Sequence, residues 1–300
     1  MPQERRAWNH RSGVTDLRTA TSRPSHELAE SASATALSAA DRAGVEIRLL
    51  DSVAEFEAAS RLVAHIWSDD DPKAPAELLR ALSHAGNFVA GAFSEAELVG
   101  VSIAFFGQDE DHLHLHSHIT GVDPRLQNRS LGFALKQFQR SWALAHGTSS
   151  IRWTADPLVR RNLYFNLCKL GATIVDYYPD FYGPLLDGVN GPGESDRVLL
   201  HWELASPRAV EAADQPPLGP VLRPGAVIVA PGTDGFPVAT PSSAETLLVS
   251  IPDDIVSLRS SDPGQADAWR EAVRVAVSSA LADGYRGEAI TRDGWLLLTR

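Results

Sequence analysis

The sequence predicts a mixed α/β protein, in which a mixed central sheet is flanked by helices and followed by a smaller strand–helix–strand extension. Across residues 45–204, segments with the two-residue period of strands alternate with segments that have the 3.6-residue period of amphipathic helices. After a Pro/Gly-rich interval, both periods return within residues 246–300. With 300 residues, 44% of them apolar, the chain is long enough to bury the core that such a sheet requires.

Composition argues against several classes of function. The net charge of −11 speaks against a nucleic-acid partner, because phosphate backbones bind basic surfaces. Residues 1–13 lack the basic-plus-apolar pattern of a signal peptide, and no run of about 18 apolar residues predicts a membrane span. The single Cys168 excludes an internal disulfide and a cysteine-rich metal site. We therefore expect a cytoplasmic protein with neither a nucleic-acid nor a membrane partner.

The order of elements begins with an N-terminal arm. Residues 1–44 are polar and rich in Ala and Ser, which predicts a flexible segment with at most a short helix. From residue 45 onward, Ser52 is placed to cap one helix and Gly86 to end a second. Three strands joined by short turns then predict an antiparallel meander. The predicted elements are a strand over 45–50, helices over 52–67 and 74–86, and strands over 87–93, 97–107 and 112–122.

Helices and strands then alternate up to residue 204. A long helix is predicted from Ser130 to Ala145 and ends at Gly147, and a second helix covers residues 158–171. The strands predicted around them cover 150–155, 172–178 and 197–204. We expect residues 45–204 to form one catalytic domain.

The remainder of the chain is predicted in two parts. Residues 205–245 are rich in Pro and Gly and predict a linker that crosses the surface without regular structure. Residues 246–300 predict a small α/β subdomain built from a strand, a helix and a final strand. Its helix has Asp262 at the N-cap, Pro263 at the first position and Gly284 past its end.

Four histidines stand at every second position of the segment Asp111-His-Leu-His-Leu-His-Ser-His118. In a strand this spacing places all four imidazoles on one face and mostly apolar residues on the other. Two neighbouring imidazoles on one face, about 6.5–7 Å apart, could share a metal ion. Four from one strand cannot, and no HExxH or Cys/His pattern completes a ligand set, so we predict no metal site. A β-bulge would change which histidine faces inward.

The segment after this strand predicts an anion-binding loop. A turn at Pro124 leads through polar and small residues into the start of the next helix. Free backbone N–H groups, the positive end of the helix dipole, and the nearby Arg125 and Arg129 suit a phosphate or pyrophosphate. An ordinary capped helix is the alternative. The loop consists of Gln127, Asn128, Arg129, Ser130, Leu131 and Gly132.

In this order of elements, the loop resembles the acetyl-CoA-binding loop of the GNAT (GCN5-related N-acetyltransferase) superfamily, whose pattern is Gln/Arg-x-x-Gly-x-Gly/Ala. Here it reads Gln127-Asn-Arg-Ser130-Leu-Gly132, with Ser130 where the family usually has Gly. The later segment RRNLYFNLCKLGA resembles a second family motif through Asn162 and Gly171. The resemblance covers residues 45–204. The C-terminal segment IPDDIVSLRSSDPGQADAWREA also resembles a bacterial subgroup of predicted GNAT acetyltransferases.

The resemblance implies a GNAT fold and an acyl-CoA co-substrate, most simply acetyl-CoA. In this fold the strand before the loop splays from its neighbour, and the acyl thioester lies in the gap. Residues 127–132 would hold the pyrophosphate, and the Val122 backbone and Asn162 would hold the pantetheine arm. The implied function is acyl transfer to the amine of a small molecule by direct attack on the thioester.

The resemblance also implies catalytic roles. Many family members carry a Glu on the splayed strand as the base, and His116 or His118 occupies the corresponding position here. The two earlier histidines of the strand would face solvent or line the substrate. Tyr164 is the candidate general acid, because Leu167 stands where the family's Tyr often lies and Tyr164 is one helical turn earlier. Histidines that only pack or bind substrate, and a tyrosine that only packs, are the alternatives.

Three aromatic residues, Trp153, Phe181 and Tyr182, are candidate walls of the acceptor pocket, with core packing as the alternative. Cys168 has no obvious cationic partner and is interpreted as a packed thiol. A rival function is a non-catalytic GNAT-fold protein that binds CoA or another ligand in a regulatory role. The departures from the two motifs and the unusual C-terminal half motivate it. The sequence leaves open the acceptor, the acyl length and whether the chain forms a homodimer.

Overall fold

The computed structural model describes residues 26–67, 73–109, 112–126, 129–184, 193–214 and 224–300. Within them the helices are α1 (His26–Ala43), α2 (Val53–Trp67), α3 (Ala76–His84), α4 (Leu131–Ala145), α5 (Arg160–Leu163), α6 (Pro207–Asp214), α7 (Ile255–Ser261) and α8 (Pro263–Ala282). The strands are β1 (Glu46–Leu49), β2 (Phe88–Ser94), β3 (Glu97–Asp109), β4 (His112–Val122), β5 (Ser150–Ala155), β6 (Thr173–Tyr178), β7 (Arg197–Glu203), β8 (Ala226–Pro231), β9 (Pro237–Ala239), β10 (Thr246–Ser250), β11 (Arg286–Ile290) and β12 (Trp295–Thr299). A 3-10 turn (Pro124–Leu126) precedes α4, and a π-helix (Tyr164–Lys169) continues α5.

These strands form one sheet in the order β1-β2-β3-β4-β5-β7-β6-β11-β12-β10-β8-β9. β1 to β4 pair in antiparallel fashion, and β2 to β4 are the predicted meander. β4 and β5 pair in parallel, and β5, β7 and β6 are again antiparallel. The predicted α/β class with a mixed sheet and flanking helices is therefore confirmed.

Helices cover both faces of the sheet. On one face, Phe56 of α2 and Leu79 of α3 pack with Val89 and Ile103 of the sheet in one buried cluster. On the opposite face, Trp142 of α4 packs against strand residues in the main core. No helix within the described ranges is long and apolar enough to cross a membrane.

The predicted helix ends are present as hydrogen bonds and backbone angles. The Glu55 amide donates to Ser52 Oγ at 3.3 Å, and Glu55 Oε2 accepts from the Ser52 amide at 3.2 Å, which forms a capping box. Asp262 Oδ1 accepts from the Gln265 amide at 3.0 Å at the start of α8. Gly147 has a positive φ of 76°, as expected past a helix end.

The N-terminal segment differs from its prediction where it can be described. Residues 26–43 form the helix α1, whose buried residues are Ala32, Ala36, Ala39 and Ala40. This alanine face packs against α4. Alanine is small enough for close helix packing but only weakly apolar, so the sequence pattern understates the buried face. The expectation of a flexible arm with at most a short helix is wrong for these residues, and residues 1–25 lie outside the described ranges.

Residues 205–245 also contain regular structure that the linker prediction did not include. They hold α6, β8 and β9, and residues 215–223 lie outside the described ranges. β8 pairs in parallel with β10, which places this segment inside the C-terminal part of the sheet. The sheet is continuous because β11 pairs with β6 at Gly287 and Ile174. The two strands approach closely there, since a Cβ added to Gly287 would lie 2.8 Å from Ile174 Cβ. The four-part division of the chain stays a prediction.

Candidate active site

The central feature of the site is the separation of β4 from β5. These parallel strands pair at only two positions, Leu115–Ile151 and His116–Arg152. β4 then continues to Val122, and in the part of the chain that the structure describes no strand pairs with this edge of β4 beyond His116. Backbone amides and carbonyls that point into the gap therefore need another partner. This is the splayed arrangement that the sequence resemblance implies.

The start of α4 lies at the end of this edge. An added Cβ at Gly132 would meet Val122 Cγ2 at 4.0 Å and nothing nearer, so these two predicted ligand-binding residues are neighbours. Ser130 has φ 60° and ψ 11°, a left-handed conformation that Gly adopts most readily. Its hydroxyl makes no capping hydrogen bond. The Ala134 amide donates to the Ser130 carbonyl, so the amides before it have no acceptor within the helix and can bind an anion.

The other predicted loop residues are placed differently from one another. Gln127 and Asn128 lie outside the described residues. Arg129 is exposed beside the helix start. The Leu131 side chain is 2% exposed and packs with Leu135 in a small cluster, which leaves only its backbone for a ligand.

Arg125, predicted to flank the anion loop, is instead paired with two carboxylates. Its guanidinium donates to Asp123 Oδ2 and to Glu97 Oε1, both at 2.7 Å. These contacts hold the pKa of the Asp123 carboxyl below its ordinary value, mainly through the Arg125 hydrogen bonds. Arg125 therefore fixes the turn that leads from β4 toward α4.

β4 contains a β-bulge, which changes the alternation of its side chains. The pairing with β3 passes from Ile119 to Ser117 and skips His118, which is the extra residue. The ring of Phe105 on β3 lies 5.1 Å from the His116 ring and 5.9 Å from the His118 ring, centroid to centroid. Both candidate bases therefore share one face of the sheet, next to the gap.

The surroundings of these histidines favour their neutral form. Burial, followed by the nearby His118, His114 and Lys136, lowers the pKa of His116 to about 4. Partial loss of hydration also lowers the pKa of His118, although its side chain remains exposed at the surface. A histidine with a lowered pKa is neutral at pH 7, which is the form that accepts a proton.

The two earlier histidines differ from one another. His112 is exposed, as expected. His114 is only 7% exposed, and its ring covers Gly107 so closely that an added Cβ there would lie 2.7 Å from Nε2. Its Nδ1 has no hydrogen-bond partner and lies 3.9 Å from Asp109 Oδ2. Within the described ranges, no group of three or more His, Cys, Asp or Glu side chains is arranged to hold a metal ion.

Arg152 adds a positive charge to this face that was not predicted from the sequence. It is the β5 partner of His116 and pairs with the carboxylate of Asp109. Its Nε donates to His201 Nδ1 on β7 at 3.2 Å. The signal for it was a charged residue inside the short apolar strand SIRWTA.

The candidate acceptor walls lie in two places. Phe181 and Tyr182 follow β6, are 37% and 44% exposed, and contact each other edge to face. The Tyr182 hydroxyl lies 3.2 Å from Thr154 Oγ1, which places it beside β5. Trp153 is instead 8% exposed in the main core, with Lys136 Nζ 4.0 Å from its ring centroid. For Trp153 the alternative of core packing holds, because strand neighbours alternate between faces.

The second motif forms α5 and the π-helix. Asn162 is exposed on α5, and Tyr164, half-buried, is the first residue of the π-helix, an element often found at functional sites. The guanidinium of Arg292 lies 6.0 Å from the Tyr164 ring centroid. Leu167 is 1% exposed in the core. Burial raises the pKa of the Cys168 thiol, whose Sγ donates to a backbone carbonyl, in agreement with a packed thiol.

Comparison with known proteins gives structural matches only. No family model matches the chain, and no curated protein matches its sequence. Ard1 from Thermoplasma volcanium is 16% identical, with 53% of this chain and 96% of that chain covered and a TM-score of 0.43. The ribosomal-protein-S18-alanine N-acetyltransferase from Escherichia coli is 14% identical, with 54% and 97% covered and a TM-score of 0.44. A GNAT-family acetyltransferase from Streptococcus pneumoniae is 14% identical, with 52% and 97% covered and a TM-score of 0.43. At these values the matches carry no argument about the activity of this chain.

Proposed function

We propose that the protein is an acyl-CoA-dependent N-acyltransferase that transfers an acyl group, most simply acetyl, to the amine of a small molecule. The observation that carries the proposal is the gap between β4 and β5, which leads to the open helix start at Ser130. An extended ligand with amide groups can pair with the edge of β4 while its phosphates bind the helix N-terminus. Acyl-CoA has both features.

In this proposal the binding residues divide the co-substrate between them. The amides of Leu131 and Gly132 and the loop side chains Gln127, Asn128, Arg129 and Ser130 hold the pyrophosphate. The absence of a side chain at Gly132 lets the phosphate approach the backbone. The Val122 backbone and Asn162 hold the pantetheine arm. Residues 45–204 would form the acyl-CoA-binding part of the chain.

The proposed catalytic roles use titratable side chains of β4 and of the second motif. Acyl-CoA supplies the thioester carbonyl that the amine attacks. His116 or His118, neutral at pH 7, accepts the proton that the amine loses. We assign the general-acid role, protonation of the departing thiolate, to Tyr164 on the second motif. Backbone N–H groups near Val122 would polarise the carbonyl, since fixed dipoles act strongly where water is excluded.

The proposal is tested by incubating the purified protein with acetyl-CoA and a panel of small amines, and measuring released CoA thiol and acylated product by mass spectrometry. Amine-dependent thiol release with a matching product supports it. The rival reading is a CoA-binding protein without turnover, and the burial of Leu167, where the family's tyrosine often lies, favours that reading. Calorimetric CoA binding with no thiol release from any amine would support the rival.

Location and assembly are part of the same proposal. We place the activity in the cytoplasm, with a small-molecule amine as the partner. Gel filtration with light scattering decides between a monomer and a homodimer.

A further inference from the structure

A buried lysine lies directly behind the histidine strand. Lys136, on α4, is 3% exposed. Its Nζ donates to Ser117 Oγ at 3.0 Å and to Gln139 Oε1 at 2.7 Å, and lies 4.0 Å from the centroid of the Trp153 ring. Within the described residues no carboxylate lies within ion-pair distance of it.

A buried ammonium without a carboxylate partner is costly, because burial removes its hydration. The cost is offset here by two neutral acceptors and by the aromatic face, which attracts a cation. Burial lowers the pKa of Lys136 to about 7. The lysine is therefore fully charged over the acidic range in which His116 titrates.

The network around this lysine is connected to the bulge. Ser117 lies between His116 and His118 in sequence and points to the opposite face of β4. Gln139 Nε2 donates to Ser102 Oγ on β3 at 3.2 Å, and Ser102 Oγ lies 3.0 Å from Thr120 Oγ1. These contacts tie α4 to both strands on either side of the extra residue.

We infer that Lys136 is a positioning residue for the proposed base: from behind the sheet it holds Ser117, the residue between His116 and His118, and places its positive charge behind the His116 ring. The inference rests on the proposed function for its catalytic meaning. The contacts that support it are independent of any activity.

Few other charged groups face these two residues. Lys136 contacts Ser117 of β4, Trp153 of β5, Trp202 of β7 and Gln139 of α4, and Gln139 in turn contacts Ser102 of β3. None of these side chains titrates between pH 3 and 9. The titratable groups that act on His116 are His118, His114 and Lys136. Arg152, the β5 partner of His116, lies beside it and is paired with Asp109.

The test is a histidine titration by NMR, which needs no turnover. The His116 signal is assigned by its loss in His116→Ala and followed from pH 3 to 8. Lys136→Met keeps the packing and removes the charge. Gln139→Glu is nearly isosteric and neutralises the charge by placing a carboxylate beside the ammonium. Lys169→Met, which removes an exposed lysine, is the matched control.

Both network variants should raise the pKa of His116, by about 0.3 to 1 pH unit, because Lys136→Met removes the positive charge behind the ring and Gln139→Glu offsets it with a negative one. Lys169→Met should shift it by less than about 0.1 unit, since water and salt screen an exposed charge. If the parent turns over, the acid limb of its rate profile should move with the pKa.

An unchanged His116 pKa in either folded network variant overturns the inference, and if Lys136→Met does not fold, Gln139→Glu decides alone. A parent without turnover would overturn the proposed function while the titration still decides the role of Lys136.

Discussion

Gly132→Asp is the sharpest test of the loop, because it separates binding from folding. Gly132 is in the first turn of α4, and an added Cβ meets only Val122 Cγ2 at 4.0 Å. A side chain therefore fits in the free protein. A carboxylate at this position interacts favourably with the helix dipole, by about 0.3–1 kcal/mol. The unfolding free energy should stay equal or rise slightly.

Binding should respond in the opposite direction. A carboxylate about 5 Å from a pyrophosphate repels each phosphate charge by about 1–3 kcal/mol, for an effective dielectric constant of about 80 to 20. Two phosphate charges then cost about 2 kcal/mol or more. Since 1.4 kcal/mol is a factor of ten in affinity, the dissociation constant for CoA should rise at least about 30-fold.

The assay is calorimetric titration with CoA, together with thermal unfolding of each variant. Gly132→Asn is the matched control, because it adds nearly the same volume without the charge. Its loss of affinity should be smaller, and the difference from Gly132→Asp should narrow at high salt. A folded Gly132→Asp protein that binds CoA as tightly as Gly132→Asn would refute the assignment of this helix start as the pyrophosphate site.

Three further predictions concern the histidines and the C-terminal part. His116→Ala or His118→Ala should lower the turnover rate about 10²–10⁴-fold with little change in acyl-CoA affinity. His112→Ala should not, since His112 lies more than about 13 Å from His116 along the strand. Parental turnover rates in all three variants across pH 5 to 9 would contradict the base assignment. The folded pKa of His116, about 4, lies below the ordinary 6.5, so the unfolded state binds the proton more tightly. The unfolding free energy should therefore fall by about 2–3 kcal/mol from pH 6.5 to 4, and less in His116→Ala, as denaturant titrations would show. Asp196 is 3% exposed and accepts a hydrogen bond from Arg274 Nε, so Asp196→Ala should lower the unfolding free energy by about 3 kcal/mol. Asp283→Ala, at an exposed position, should leave the unfolding free energy almost unchanged.

The sequence predicted those elements whose pattern is local. The strand over 150–155 was predicted at its observed bounds, and the strand over 112–122 likewise, because alternation and turn residues are read from neighbouring positions. The caps at Ser52 and Asp262 were predicted for the same reason. The left-handed conformation at Ser130 gives a physical reason for the family's glycine at this position.

Features that depend on distant partners were not predictable in this way. The bulge at His118 is a mismatch of two strands, and a single strand's sequence does not contain it. Lys136 looks like any helical lysine until α4 is placed over Ser117 and Trp153. β8 and β9 are short and flanked by Pro and Gly, and they form strands because β10 offers an edge to pair with.

Contacts of the π-helix connect the C-terminal half of the chain to the element that carries the candidate acid. Arg208 of α6 donates to the Leu167 carbonyl at 2.7 Å and also to the carbonyl of Glu288 on β11. Gly171, at the end of the π-helix, has φ 75°, and an added Cβ would lie 2.8 Å from the Arg208 carbonyl oxygen. One side chain thus ties the element that carries Tyr164 to the extension of the sheet. Residues 45–204 alone lack this tie, so the position of the candidate acid depends on residues beyond the segment that resembles the GNAT motifs.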